Sequence, residues 1–178
     1  MKNIIAFAGS NSSQSINLQL VKYACTKLNH VNVELLDLNE FEMPLYSIDR
    51  EKEHGIPQKA ELFRKKMHEA DGIVCSLAEH NKSYTVALKN ILDWCSRVDM
   101  NIFGDKPMLL MSTSPGGYGG GNVMAAAKNF FPKASANIID TFSLPKFYDN
   151  FKNDTIIDEE NNKDLQESIN IFKQKILP

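Results

Sequence analysis

A chain of 178 residues, 43% hydrophobic and 24% charged, has the length and composition of one ordinary globular domain, 1–178. Its net charge of −2 supplies neither a basic footprint for nucleic acid nor a polybasic patch for a membrane surface. Apolar runs such as Met108 to Met111 are too short to span a bilayer, and the N-terminus lacks the apolar core and cleavage site of a secretory signal.

The expected first strand is the apolar run Ile4 to Ala8. It breaks at Gly9 into the hydroxyl cluster Ser10, Ser12, Ser13 and Ser15, and a helical pattern follows. Strand, tight turn and helix N-terminus in succession form an anion site. The first helical N–H groups lack intrahelical partners, and the dipole adds about half a positive charge there. One serine is enough to cap a helix, so the additional hydroxyls point to a phosphate. Neither GxxxxGK[ST] nor GxGxxG is present, which favours a mononucleotide over a dinucleotide.

Leu18, Val21, Cys25 and Leu28 then mark one face of a first helix. Val31 to Leu38 is expected as the second strand, and Asn39 to Gly55 as a long loop, functional or mobile. A second helix presents Ala60, Phe63, Met67 and Ala70. Ile73 to Ala78 is nearly continuous in apolar character, as suits a central parallel strand covered on both faces. A polar loop, Glu79 to Ser83, precedes a third helix whose apolar face is Leu88, Ile91, Leu92 and Cys95.

Pro107 to Ser112 is the fourth strand. The glycine-rich run Ser112 to Gly121 follows it, then a fourth helix with Val123, Ala127 and Phe130. Ala136 to Phe142 is the fifth strand, Lys146 to Asp154 a loop, and the last helix carries Leu165, Ile169, Phe172 and Ile176. Such alternation implies a parallel sheet with right-handed crossovers and helices on both faces. A phosphate loop after the first strand gives the order 2-1-3-4-5, a flavodoxin-like three-layer α/β sandwich. Its crevice lies at the carboxyl ends of strands 1, 3 and 4. The three unusual loops are the ones at those ends.

The spacing Ser10-x-Ser12-x-x-Ser15 resembles the hydroxyl-rich phosphate loop of flavodoxins. With Gly9 and Asn17 it is similar to the opening GSxxxxSxN of the NAD(P)H-dependent FMN reductases, which usually have Arg where this chain has Ser12. The stretch AEHNKSYTVALKNILDW resembles that family's loop and helix signature. Glu79, Asn81, Ser83, Leu88, Lys89, Asn90, Asp93 and Trp94 match. Ala78 replaces a proline, His80 a tyrosine, and Thr85-Val86 a Pro-Gly pair.

The resemblance implies an FMN enzyme that takes hydride from NADPH or NADH. The acceptor would be a quinone, free flavin, azo compound or metal oxyanion. Flavodoxin-type electron carriage is the alternative. The phosphate would lie on Ser10, Ser12, Ser15, Ile16 and Asn17. The pyrimidine edge of the flavin would meet Glu79, His80, Asn81, Lys82 and Ser83. Ser114, Gly116, Gly117 and Tyr118 would border the other side. Lys82 and Arg97 are candidates for reading a 2′-phosphate. Family members associate as dimers or dimers of dimers, so a homodimer or homotetramer is expected, with Trp94, Asp93, Arg97 and Asp99 at the rim of a subunit contact. No dedicated acid or base is visible, consistent with a cofactor that carries the chemistry. No metal-ligand spacing is present, and Cys25, Cys75 and Cys95 read as reduced core residues of a cytoplasmic protein.

Overall fold

In the computed structural model, which describes residues 1–177, five parallel strands form one sheet. Along the chain, β1 (Lys2–Ala8), α1 (Ile16–Thr26) and β2 (Val31–Leu36) come first. A 3-10 turn (Leu38–Phe41), α2 (Ile48–His54), α3 (Gln58–Glu69) and β3 (Gly72–Leu77) follow. A small hairpin, β4 (Glu79–His80) and β5 (Ser83–Tyr84), leads into α4 (Val86–Val98). Next come β6 (Pro107–Thr113), α5 (Gly121–Phe130), a 3-10 turn (Phe131–Ala134) and β7 (Asn137–Leu144). The chain continues through α6 (Phe147–Asn150), the hairpin β8 (Phe151–Lys152) and β9 (Thr155–Ile156), and α7 (Glu159–Ile176).

The sheet order is β2-β1-β3-β6-β7. Counting only its five strands, that is the expected 2-1-3-4-5, with parallel pairing throughout. Successive strand residues face opposite sides, and two cores result. Ile5, Phe7, Ile73, Cys75, Leu77 and Leu110 pack under α3, α4 and α5. Ile4, Ala6, Val74, Leu109 and Met111 pack under α1 and α7. All six residues of β3 are buried, which is why its sequence shows no polar alternation.

Several local expectations are corrected. Asn39 to Gly55 is not one loop: it contains the end of a 3-10 turn and all of α2. Tyr46 N–H and the Met43 and Pro44 carbonyls bond to the Asn90 side chain at 2.9, 3.0 and 3.1 Å. Trp94 Nε1 donates to the Pro44 carbonyl at 2.7 Å, and Arg97 Nε meets Glu51 Oε2 at 2.9 Å. Side chains of α4 therefore hold this segment in place. Glu79 to Ser83 is a hairpin, with Asn81 and Lys82 both left-handed at its turn (φ 51° and 64°). Two positive φ values in a two-residue loop match the twist of the flanking strands. Lys146 to Asp154 likewise contains α6 and a second hairpin turn.

Helix α1 keeps part of its expected face: Val21 and Leu28 are buried, joined by Leu20 and Ala24, whereas Leu18 and Cys25 are only half-buried. The buried Asn17 side chain, which bonds to β3 and β6, sets that partial rotation. Trp94 is corrected as well. It is 1% exposed and stands edge-on to Tyr46, with ring centroids 5.0 Å apart, so it belongs to the core and not to a subunit rim. Lys89 and Asp93 form the expected helix-surface pair, at 2.6 Å. Cys75 and Cys95 are fully buried, and burial pushes the Cys95 thiol up to about 12 and that of Cys75 upward too.

Trp94→Phe should lower stability by about 1 kcal/mol through the lost Pro44 hydrogen bond. Trp94→Ala should cost about 3–5 kcal/mol, because it also opens a cavity. Urea unfolding of the two variants checks the difference, and near-equal losses would remove the indole hydrogen bond from the account.

Candidate functional site

The β1–α1 loop uses its serines first on itself. Ser12 N–H donates to Ser10 Oγ and Gln14 N–H to Ser12 Oγ, both at 3.2 Å. Ser15 Oγ caps α1 by accepting from Leu18 N–H at 3.1 Å. Each hydroxyl here spends a lone pair and keeps its proton, so all three can still donate to an anion. Ile16 and Asn17 open the helix, where backbone N–H groups have no intrahelical acceptor. The first turn of α1 carries no acidic residue. Gly9 lets this loop lie against its neighbours: a Cβ there would sit 2.9 Å from Leu88 and 3.3 Å from Leu77.

Buried side chains tie this loop to the others. Asn17 Oδ1 accepts from Ser76 Oγ at 2.7 Å and from Thr113 N–H at 3.0 Å. Asn17 Nδ2 donates to the Thr113 carbonyl at 3.2 Å. Thr85 Oγ1 donates to the Gly9 carbonyl at 2.8 Å and accepts from Leu88 N–H, capping α4. Glu79 reaches across to α5, where its carboxylate accepts from Val123 N–H at 2.9 Å and Asn122 Nδ2 at 3.0 Å. Ser112 and Thr113 hydroxyls donate to the Gly119 and Leu144 carbonyls, each at 2.7 Å.

Between these loops lies a cavity of about 210 Å³ at the carboxyl ends of β1, β3 and β6. Of the candidates named from sequence, Ser10, Ser12, Ser15, Ile16 and Asn17 line it on one side. Glu79, His80 and Ser114 line it on the other. Asn81, Lys82 and Ser83 stand apart, at and just beyond the hairpin turn. Lys82 holds its left-handed conformation at a cost of about 1 kcal/mol, of the kind that clusters at functional loops. Arg97 is committed to Glu51 and stands away from the cavity, so it is no longer a candidate for a 2′-phosphate.

Gly116, Gly117 and Tyr118 also lie off the lining. Added Cβ atoms at Gly116 and Gly117 would meet nothing closer than 3.9 Å, so the protein itself does not demand glycine there. Gly119 and Gly120 differ: both are left-handed, with φ of 60° and 81°, and close against Leu144 and Ser112. The Tyr118 ring lies over Gly121 at the start of α5, 69% exposed. The chain also places Tyr148 on the cavity, from a segment expected as plain loop. The available signal was an aromatic just past Pro145, close to the carboxyl end of a strand. Gln14, Ala78, Thr113 and Pro115 complete the lining, adjacent to named residues.

A serine-lined crevice at the strands' carboxyl ends of a 2-1-3-4-5 parallel sheet stands where flavodoxin-like folds place their ligands. The model of the NADPH-dependent FMN reductase family matches residues 2–149, and the chain belongs to that family. It is 35% identical over 122 residues to an NADPH:quinone oxidoreductase of Arabidopsis thaliana, covering 66% of this chain and 60% of that protein. It is 31% identical over 118 residues to a quinone reductase of Escherichia coli K12, covering 66% and 62%. The matches thus span about 60% of those relatives' length. Among solved structures, the flavoenzyme NAD(P)H:(acceptor) oxidoreductase FerB from Paracoccus denitrificans superposes with a TM-score of 0.76. That pair is 24% identical, over 99% of this chain and 97% of the other. The azoreductase AzrA gives 0.68 at 16% identity, over 97% and 99%. These two likenesses concern the fold.

Asn17→Ala should cost about 2–3 kcal/mol in urea unfolding, since it leaves buried Ser76 and Thr113 groups unpartnered. A loss no larger than that of an exposed alanine substitution would show that water replaces the amide.

Proposed function

We propose that the chain is an FMN-dependent oxidoreductase that takes hydride from NADPH or NADH. It would pass the hydride to a small acceptor such as a quinone, a flavin or an azo compound. The observation that supports this best is the β1–α1 loop. It offers hydroxyl protons and unpaired helical N–H groups to a phosphate, and Glu79, the one carboxylate on the cavity, is already engaged at α5.

When bound, FMN supplies the two-electron chemistry at N5. This chain's residues hold and orient it. Ser10, Ser12, Ser15 and the amides of Ile16 and Asn17 would take the phosphate, with no cation among them, in keeping with Ser12 standing where the family often has Arg. His80 and Ser114, on the β3 and β6 loops, would flank the ring. The Asn81 and Lys82 amides and Gly116, Gly117 and Tyr118 would approach its edges. Asn17 acts behind the site, fixing loop spacing. No side chain is required to shuttle a proton to the ring.

One domain, 1–178, would serve the whole reaction. Association into a homodimer or homotetramer is part of the proposal, and light scattering at the monomer mass would remove it. A cytoplasmic setting accords with three cysteines that form no disulfide.

The purified protein should be yellow, retain FMN, and oxidise NADPH or NADH faster when a quinone is present. Colourless protein that gains no flavin spectrum with added FMN would sink the proposal. Ser15→Glu should weaken FMN more than Ser15→Ala, whose lost hydrogen bond is worth about 1 kcal/mol. Riboflavin affinity should stay nearly unchanged in both. Equal weakening of FMN and riboflavin would move the phosphate away from this loop.

A further inference from the structure

The two edges of the sheet are built differently. At one edge, β7 is shifted in register against β6 by a bulge, carries Asp140 and lies under α7. Bulges, charges and covering helices keep a sheet edge from pairing with another chain. At the opposite edge, β2 keeps unbroken register with β1 from Val31 to Leu36 and contains no proline, lysine or arginine. Its outward N–H and C=O groups have no strand partner. Asn32, Val33, Glu34 and Leu35 are all exposed, so β2 is open on both faces. Val31, Val33 and Leu35 form an apolar row on the face shared with Ile4 and Ala6, and Val33 and Leu35 are 39% and 42% exposed. Asn32 and Glu34 lie on the other face, beside a cavity of about 350 Å³ that Lys66 also lines. The one charge of the strand, Glu34, is paired with that Lys66.

We propose that β2 is an interface with a second copy of this chain, whose β2 adds antiparallel about a two-fold axis through Val33, making one continuous sheet. The assignment rests on the association put forward above and names its surface. It does not depend on the flavin chemistry. Antiparallel neighbours set directly opposite share a face of the sheet, so an isologous pair has few registers to choose from. Centring on Val33 sets Val33 against Val33 and Val31 against Leu35, which keeps the whole apolar row together. On the other face it sets Asn32 against Glu34, twice. Asn32 spends one amide hydrogen on Asn3 Oδ1 and keeps the second to offer the carboxylate. Centring on Glu34 instead would oppose two carboxylates, and centring on Asn32 would leave Leu35 facing Asn29. The sequence of β2 is thus complementary to itself in one register. Cross-strand contact shelters part of each apolar side chain from water, and the ladder supplies partners for the free backbone groups. The strands run in opposite directions, so the two serine-lined crevices lie at opposite ends of the joined sheet and neither is covered.

The test uses the full chain loaded with FMN. By light scattering, Val33→Lys should halve the mass of the wild-type assembly, because each lysine would confront its own copy on the axis. FMN content and urea stability should stay as in the wild type. Two changes at Asn32 provide a contrast of sign. Asn32→Glu, opposed to Glu34 of the second copy, should weaken association roughly tenfold through two like-charge pairs, and high salt should reduce that loss. Asn32→Lys should leave association intact or tighten it. Val33→Cys should form a disulfide-linked dimer on mild oxidation, since Cα atoms directly opposite in an antiparallel pair stand within disulfide reach. Wild type treated alongside should not, with Cys75 and Cys95 buried and Cys25 half-buried. Unchanged mass in Val33→Lys, no cross-link in Val33→Cys, or equal effects of Asn32→Glu and Asn32→Lys would overturn the interface while association itself stood. A wild type at the monomer mass would remove association and this interface together. Failure of the flavin reading looks different again: the assembly keeps its mass and retains no FMN.

Discussion

One amide side chain holds the ligand edge of this molecule together. Asn17 is 2% exposed, and its oxygen and nitrogen bond to Ser76 at the end of β3 and to both backbone groups of Thr113 at the end of β6. A parallel sheet ends in unpaired backbone groups wherever its strands stop. A buried group there must find a partner or lose the stability of a hydrogen bond. By satisfying groups on two strands from the first turn of α1, Asn17 fixes the rotation of that helix and the spacing of three loops. It also explains why a polar residue occupies a face that periodicity alone would fill with leucine.

The same economy appears around α4. Its inner face, Leu88, Ile91, Leu92 and Cys95, packs on the sheet. Its flank carries Asn90, Trp94 and Arg97, each bonded to the segment that follows β2. Thr85, which caps the helix, also ties it to Gly9. One helix thus joins the β1–α1 loop to the segment that follows β2, and walls held in this way reduce the ordering cost of binding.

The ligand edge divides into residues that touch the cavity and residues that set its shape. Ser10, Ser12 and Ser15 do both, since each accepts a local N–H bond and retains a proton to offer. Glu79 and Asn17 chiefly set shape through their side chains. In the glycine run, Gly119 and Gly120 are needed by the backbone, while a Cβ at Gly116 or Gly117 would meet nothing closer than 3.9 Å. A motif match alone does not separate these roles, because it records residue identity without saying which partner each atom has found.

The sequence by itself determined the layer order, the parallel sheet and the edge at which the serine, Glu79 and glycine-rich loops gather. Those follow from local causes: apolar runs of strand length, helical spacing between them, and serines and glycines at helix entrances. It left undetermined the atoms that the tertiary structure commits. Trp94 beside Asp93 and Arg97 has the composition of a rim, yet the Pro44 carbonyl lies within reach of its indole only because α4 folds against the chain after β2. The left-handed turn at Asn81 and Lys82 carries no glycine to announce it. Tyr148 reaches the cavity because Lys146 and Phe147 bond back to Gly116 and Ser114, which no periodicity encodes. Long-range hydrogen bonds between loops have no local signature, since each partner satisfies its own turn equally well until the sheet brings the other within three ångströms.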